Sequence, residues 1–331
     1  MASIMTNASA LTALQSLSAT QKNLDTTQAR ISTGYRVSQA SDNAAYWSIA
    51  TTMRSDNQAM STVSDALGLG ASKVDTAYTG MKSSIDTLNQ IKTKLVASYG
   101  QTDADKAKTQ TEIAALQKQL KAYADGATFS GTNMLSVDSG TATAAADVKI
   151  VSAFNRDASG TSSISTIDVK VESTKLYEAG TTAGTAKGIL DADRLGSTGA
   201  ITTTAQNPTA GAASVALDTY SVATLKVYDS ATGKGFSDTQ IADQMKVVDA
   251  ALKDMTNAAT TLGAAKSSID LQKTFTQSLM DSIDRGVGQL VDADMNKEST
   301  RLQALQVQQQ LGVQALSIAN GSSQSILSLF R

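Results

Sequence analysis

Residues 49–95 read IATTMRSDNQAMSTVSDALGLGASKVDTAYTGMKSSIDTLNQIKTKL, and a single seam runs the length of the stretch. It passes Ile49, Met53, Asp56, Met60, Val63, Leu67, Gly70, Val74, Ala77, Met81, Ile85, Leu88, Lys92 and Leu95 in steps that alternate four and three. That period keeps the apolar side chains on one stripe of a helix, so the stretch reads as a coiled-coil rod. A second seam answers it through Ile241, Met245, Val248, Leu252, Met255, Ala259, Leu262, Lys266, Ile269, Lys273, Thr276, Met280, Ile283, Val287 and Leu290. At a rise of about 1.5 Å per residue each rod spans roughly 70 Å. Ile113, Leu116, Leu120 and Tyr123 repeat the spacing over a shorter run that fits as a third member. Periodicity by itself leaves any long helical bundle open.

The ends of the two rods mirror each other. Ahead of the first lies a seam at Ala10, Leu14, Leu17, Gln21, Leu24, Gln28 and Ile31, interrupted by STGYRVSQAS at 32–41. After Leu290 the second is broken by VDADMNKEST at 291–300. It resumes at Leu302, Leu305, Gln309, Gly312, Leu316, Ala319, Ser323, Ile326 and Phe330. A further apolar row, Val307, Leu311, Ala315 and Ile318, runs beside it. A lone helix greasy on two faces is poorly soluble, whereas one packed among copies of itself uses both rows. The termini therefore read as self-association elements, with Leu14, Leu17, Leu24, Ile31, Leu302, Leu305, Leu311, Leu316, Ile318, Ile326 and Phe330 as the assembly residues.

Between the rods, from about Val137 to Gly235, Gly, Thr, Ser and Ala dominate. The alternating runs DVKIVSAF at 147–154, STIDVKV at 165–171 and SVATLKVY at 221–228 read as half-buried strands. The expected fold is mainly α, a long coiled-coil bundle of N- and C-terminal segments with a small β-rich outer domain inserted at its far end. Its divisions are 1–40 with 291–331, 41–140 with 237–290, and 141–236.

Composition narrows the chemistry. With no His and no Cys among 331 residues, the commonest acid-base group, the commonest soft nucleophile and the usual ligands of zinc, copper, haem and iron-sulfur centres are all missing. No enzyme, metal or cofactor is expected. Asp103-x-Asp105 and Asp191-x-Asp193 begin like calcium loops, but neither has a Glu at the twelfth position. Gly68-x-Gly70 sits inside the rod's seam, not after a strand, so it does not read as a nucleotide loop. The sequons at Asn7 and Asn320 fall on the terminal self-association helices, and glycosylation there is not expected. A net charge of −2 with scattered basic residues offers no footprint for nucleic acid or an anionic membrane. The opening MASIMTNASALTALQSLSAT has no basic n-region and no continuous apolar run, so no cleaved signal peptide is expected.

At this point the residues carry a resemblance. RISTGYRVSQASDNAAYWSIA at 30–50, FSGTNML at 129–135, RLQALQVQQQLGVQALSIAN at 301–320 and SILSLFR at 325–331 resemble bacterial flagellin, in the family's order. The likeness covers roughly residues 1–140 and 238–331. Its stretches 42–56 and 291–306 are most similar to flagellins of soil and plant-associated alphaproteobacteria. The resemblance implies that the terminal helices nest as a coiled-coil tube around a channel, that the rods form the next layer, and that the middle faces outward. It also implies a homopolymer of flagellin copies, related flagellins among them. Export runs through the flagellar type III apparatus, with an export chaperone and cap and junction proteins as partners and an extracellular filament as destination. Relatives that insert a zinc protease need H-E-x-x-H, which a chain without His lacks. A hook-filament junction adaptor shares the terminal helices and stands as the alternative; a secreted enzyme with coiled-coil ends would need a convergent acid-base pair in the middle segment, where none is found.

The stretch at 30–57 also holds the only Trp of the chain. Tyr46 lies three residues before Ile49 and is expected on the seam, while Trp47, about 100° further round, is a candidate subunit-interface residue. Ser41 or Asp42 is expected to cap the rod. In the family this stretch resembles a peptide detected by plant receptors. Detected members carry Lys where Ser41 stands, Asp at Asn43, and Gly with a smaller apolar residue at Tyr46 and Trp47. Around LNQIKTKLVA at 88–97, which resembles the Toll-like receptor epitope, Gln90, Lys92 and Thr93 stand where detected members carry Arg, Arg and Glu. Lost charge-assisted hydrogen bonds and added bulk imply weak or absent recognition by innate immune flagellin receptors.

Overall fold

The computed structural model describes residues 7–140, 144–157, 159–180 and 187–329. Among the described residues there are five α-helices: α1 (Ala8–Thr33), α2 (Ala44–Ser98), α3 (Asp103–Gly126), α4 (Asp238–Val291) and α5 (Met295–Leu329). Between α3 and α4 lie ten short strands: β1 (Thr128–Phe129), β2 (Thr132–Asn133), β3 (Ser136–Val137), β4 (Val148–Arg156), β5 (Ser162–Val169), β6 (Tyr177–Glu178), β7 (Arg194–Leu195), β8 (Thr219–Tyr220), β9 (Tyr228–Asp229) and β10 (Lys234–Gly235). They pair two by two, antiparallel except for β3 with β6. By packing, the chain forms two compact units, one of residues 60–277 and one of residues 1–59 with 278–331.

In the 60–277 unit the heptad reading holds. Met60, Val63, Leu67, Val74, Ala77, Met81, Leu88 and Leu95 of α2 are buried, as are Ile113 and Leu120 of α3 and Ile241, Val248, Met255, Leu262 and Ile269 of α4. The ion pairs of Lys92 with Asp249 (2.6 Å) and of Asp75 with Lys266 step down one rod as they step up the other, which sets α2 and α4 antiparallel. On α2 from Ser84 onward, and on α4 from Gln244 to Ala258, the alternate steps fall one residue earlier than the sequence suggests. Ser84 and Ile91 are buried, while Lys92 is half-buried and charged; on α4, Gln244, Ala251 and Ala258 are buried beside the half-buried Met245, Leu252 and Ala259. A stripe facing two neighbours is wider than a two-stranded seam, so both flanking positions are apolar and spacing cannot choose between them.

The middle segment shares this core. Ile150, Val169, Val171, Leu176, Leu190, Tyr220, Val222, Leu225 and Val227 belong to one hydrophobic cluster with the helix residues. The runs at 147–154 and 165–171 contribute to β4 and β5, which form a hairpin with an irregularity between Val151 and Ala153. FSGTNML makes the tight β1–β2 hairpin, with Ser130 at φ 49° and Gly131 at φ 74° as the mirror-image turn requires.

The expected strand at 221–228 is instead a short 3-10 turn (Val222–Thr224) and irregular chain leading into β9. Burial alternates only at Leu225 and Val227, since the adjacent Ser221 and Val222 are both buried, and the backbone is held by helix glutamines. Gln117 Nε2 donates to the carbonyls of Val222 (2.8 Å) and Leu225 (3.0 Å), and Gln244 Nε2 to that of Lys226 (2.8 Å). Gln110 Oε1 accepts from the amides of Val227 (2.7 Å) and Tyr228 (3.3 Å). Those bonds satisfy buried polar groups that a neighbouring strand would otherwise have to meet.

A second anchor ties β6 to the loop before β4. Lys175, fully buried, pairs with Glu172 and Glu178 at 2.9 Å each. Burial opposes ionisation of Glu178, but the Ser139 amide, the Lys175 ammonium and the Ser139 hydroxyl outweigh it and hold the carboxyl at about 2.

Gly70 lets β4 approach α2, because a Cβ there would overlap Cγ2 of Ile150, a rigid branch atom. At Gly68, two residues away, a Cβ meets nothing nearer than the Lys273 ammonium at 4.0 Å. Helix propensity alone would reward either Gly→Ala change by about 1 kcal/mol. Gly68→Ala is therefore expected to raise the melting temperature. Gly70→Ala should lower it, since overpacking costs about 1–3 kcal/mol. Adding Ile150→Ala to Gly70→Ala should cost less than the two changes summed, as read by thermal unfolding of the four variants.

Candidate assembly surface

The unit of residues 1–59 and 278–331 is built on two helix stops. α1 starts on Asn7, whose Oδ1 accepts from the Ala10 amide (3.1 Å), and ends at Gly34, left-handed at φ 75° with its amide returned to the Arg30 carbonyl (2.9 Å). The freed backbone of 34–37 then pairs with that of 291–293. Arg36 N and Val37 N donate to the Val291 carbonyl (2.6 and 3.2 Å), and Ala293 N donates to the Gly34 carbonyl (2.8 Å). The Arg36 guanidinium adds a bond to the Leu290 carbonyl (3.0 Å). The two breaks in the seams are thus one structure, closed over a small core of Val37, Ala50, Val287 and Val291.

Two local expectations are corrected here. The cap of α2 is Asn43, whose Oδ1 accepts from the Tyr46 amide (3.1 Å), not Ser41 or Asp42. Asp42 instead closes the preceding turn, accepting from the amides of Ser38 (3.0 Å) and Gln39 (3.1 Å), and these bonds hold its carboxyl below the usual range. The seam enters α2 at Ala50, so Ile49 and Tyr46 stand exposed instead of packed. Tyr35, Tyr46, Trp47 and Ile49 are four exposed large side chains around this joint, with the Arg54 guanidinium 4.8 Å over the Tyr35 ring.

Beyond the joint α1 and α5 run antiparallel. Arg30 pairs with Glu298 (3.2 Å), Gln309 Nε2 donates to Gln21 Oε1 (2.8 Å), Gly312 lies against Leu17, and Asn7 Nδ2 donates to the Ala319 carbonyl (3.0 Å). Leu24 and Leu305 are buried between them; Leu17, Ile31, Leu302 and Leu316 are half-buried. The second row is open: Leu311 is 57% and Ile318 73% exposed, with Val307 and Val313 alongside, and Leu14 of α1 is 53% exposed. Ile326 falls on α5, and Phe330 lies outside the described residues. Residues 302–330 contain no ionisable side chain, so nothing charged guards that row.

The receptor-epitope positions divide. Ser41 is exposed and Asn43 half-buried by its capping role. On α2, Gln90 and Thr93 face solvent three residues apart, while Lys92 turns toward Asp249. The sequence reading missed the polar register points Asn7, Arg30 and Glu298. The signals were present, an Asn just ahead of an apolar-periodic run and opposite charges just inside the mirrored breaks, but only the pairing shows that they meet.

Residues 4–143 match the model of the bacterial flagellin N-terminal helical region, and residues 245–330 that of the C-terminal helical region. The chain is 50% identical to Flagellin C of Rhizobium meliloti over 338 aligned residues and 47% identical to a flagellin of Brucella melitensis over 331, in both cases across the whole of both chains. Flagellin A of Rhizobium meliloti is 43% identical over 403, again across both whole chains. Two coiled-coil ends joined at paired backbone breaks, an apolar row left open on the charge-free stretch 302–329 of the last helix, and whole-length likeness to alphaproteobacterial flagellins make this chain a member of the bacterial flagellin family, a structural subunit of the flagellar filament.

Proposed function

We propose that the α1–α5 pair is the element each subunit contributes to the filament's inner tube, and that the open row Val307–Leu311–Ile318 is the face covered by neighbouring copies. The observation that carries this is the uncharged, exposed row itself. A helix with that surface gains by burying it at about 25 cal/mol per Å² of apolar area, and a second copy offers a like surface. On this reading 1–40 and 291–331 make the tube, 41–140 and 237–290 the layer around it, and 141–236 the outer face. The role is structural, with no enzymatic step. The subunit travels through the flagellar type III apparatus, met by an export chaperone and by cap and junction proteins, and ends outside the cell.

Leu311 is mostly exposed in the single chain, so Leu311→Asp should leave a soluble monomer with unchanged unfolding while abolishing seeded filament growth, as read by negative-stain electron microscopy. Normal filaments from that variant would remove the open row from the interface. Leu316→Asp should block assembly and also loosen the α1–α5 pair, because Leu316 is half-buried against α1.

Trp47 is the only indole, 39% exposed at the joint. We assign it to a subunit contact. Its emission should shift to the blue on polymerisation, and identical emission from monomer and filament would sink that assignment.

The same stretch supports weak recognition by immune receptors. Asn43 caps α2 as well as Asp would, so the helix is kept while a charge is lost. Tyr46 and Trp47 present rings where an extended peptide would need small groups. A synthetic peptide of residues 28–50 should give a much weaker plant oxidative burst than a detected relative's peptide, and intact monomer should activate the animal receptor weakly. Full activity in either assay overturns that half of the reading.

A further inference from the structure

Asn320-Gly321 is the only Asn-Gly pair in the chain, and the structure places it on α5 with both residues exposed. The pair sits at the far end of the contact with α1, where Asn7 Nδ2 donates to the Ala319 carbonyl one residue earlier. From Gly321 the chain reads Gly-Ser-Ser-Gln-Ser, a run of mostly poor helix formers. Helical segments with few buried contacts open at low free-energy cost, and this one, at the far end of the described contact with α1, combines a weak sequence with an exposed Asn-Gly pair.

We propose that Asn320 is a self-modification site, converted by its own backbone whenever α5 opens and shielded when assembly holds the helix. The main-chain nitrogen of Gly321 attacks Cγ of the Asn320 amide, a C–N bond forms and ammonia leaves, giving a five-membered succinimide. Water then adds to one of the two ring carbonyls and breaks its bond to nitrogen, so the product is Asp or isoaspartate. No oxidant or enzyme is needed. Gly at the following position supplies an unshielded nitrogen and the conformational freedom to reach Cγ. A helical backbone denies that approach, because its dihedrals fix the nitrogen in the intrahelical ladder. The product is a poor fit to the helix it came from. It places a carboxylate in the stretch 302–330, which is otherwise without charge. Isoaspartate also lengthens the backbone and breaks the helical register. Unassembled subunits thereby acquire a mark that withdraws them from polymerisation.

The test takes full-length monomer and preformed filaments through the same mildly alkaline incubation. Trypsin releases residues 302–331 as one peptide, since no Lys or Arg lies between Arg301 and Arg331, and fragmentation locates the amide-to-acid change. In monomer, position 320 should convert several-fold faster than any other Asn. In filaments it should slow several-fold, and Gly321→Ala monomer should lose the conversion. Aged monomer offered to seeds should leave its modified fraction in solution. The monomer measurement does not depend on the filament-packing reading, so a rate at 320 no faster than elsewhere overturns the site itself. Equal rates in monomer and filament overturn the shielding, and equal incorporation of modified chains overturns the mark.

Discussion

A helix cannot be interrupted without orphaning backbone amides and carbonyls, and this chain interrupts two helices side by side so that each break satisfies the other. Gly34 ends α1 in a left-handed turn, and the amides of Arg36 and Val37 then find the Val291 carbonyl that the end of α4 leaves open. Ala293 returns the bond to Gly34. Because the pairing is backbone to backbone, it fixes where α1 ends and α5 begins, and the side-chain contacts further out extend that register along the pair.

The parts of the fold that were legible in the sequence are those with a period. Long seams, the third helix, the two breaks and the β4–β5 hairpin all follow from which positions are apolar. What was not legible depends on partners that lie far away in sequence. Whether Ser84 or Ile85 faces inward is decided by how many neighbours α2 has, and the alternating run at 221–228 is irregular because Gln110, Gln117 and Gln244 bind its backbone from two different helices. A strand and a glutamine-clamped irregular segment both bury Leu225 and Val227, and the departure at the adjacent Ser221 and Val222 shows only in the structure, so pattern alone cannot separate them. Caps were missed by a single residue: Ser41, Asp42 and Asn43 are all competent, and Asp42 was already engaged by the turn at 38–39.

The candidate surface was legible in the same uneven way. Apolar rows on α5 could be counted, and the structure shows which row α1 occupies and which it leaves open. The joint's aromatic cluster was half legible: Trp47 is off the seam as its spacing required, but Tyr46 joins it because the seam enters α2 at Ala50. A residue as small as Ala gives no sign in the sequence that it is a core position. It is buried here in one cluster with Val37, Val287 and Val291, beside the β-like bridge of Tyr35 with Asp292.

The polar contacts between α1 and α5 are better understood as a ruler than as glue. Arg30–Glu298, Gln21–Gln309 and Asn7–Ala319 fall at the root, the middle and the far end of the pair. The Gln21–Gln309 bond is exposed and contributes little, and in the half-buried Arg30–Glu298 pair Glu298 keeps one buried oxygen without a partner among the described residues. Such contacts discriminate against sliding by a turn, because a shifted register would leave several of them unmade. They add little to the depth of the well. Among the described residues only Leu24, Thr27, Glu298 and Leu305 are buried in the two helices, a small return for ordering elements of 26 and 35 residues. The intrachain pair is therefore defined in register but weak in free energy, and Leu14, Val307, Leu311, Val313 and Ile318 stay exposed beside it, apolar surface whose burial would add stability that the pair alone does not supply.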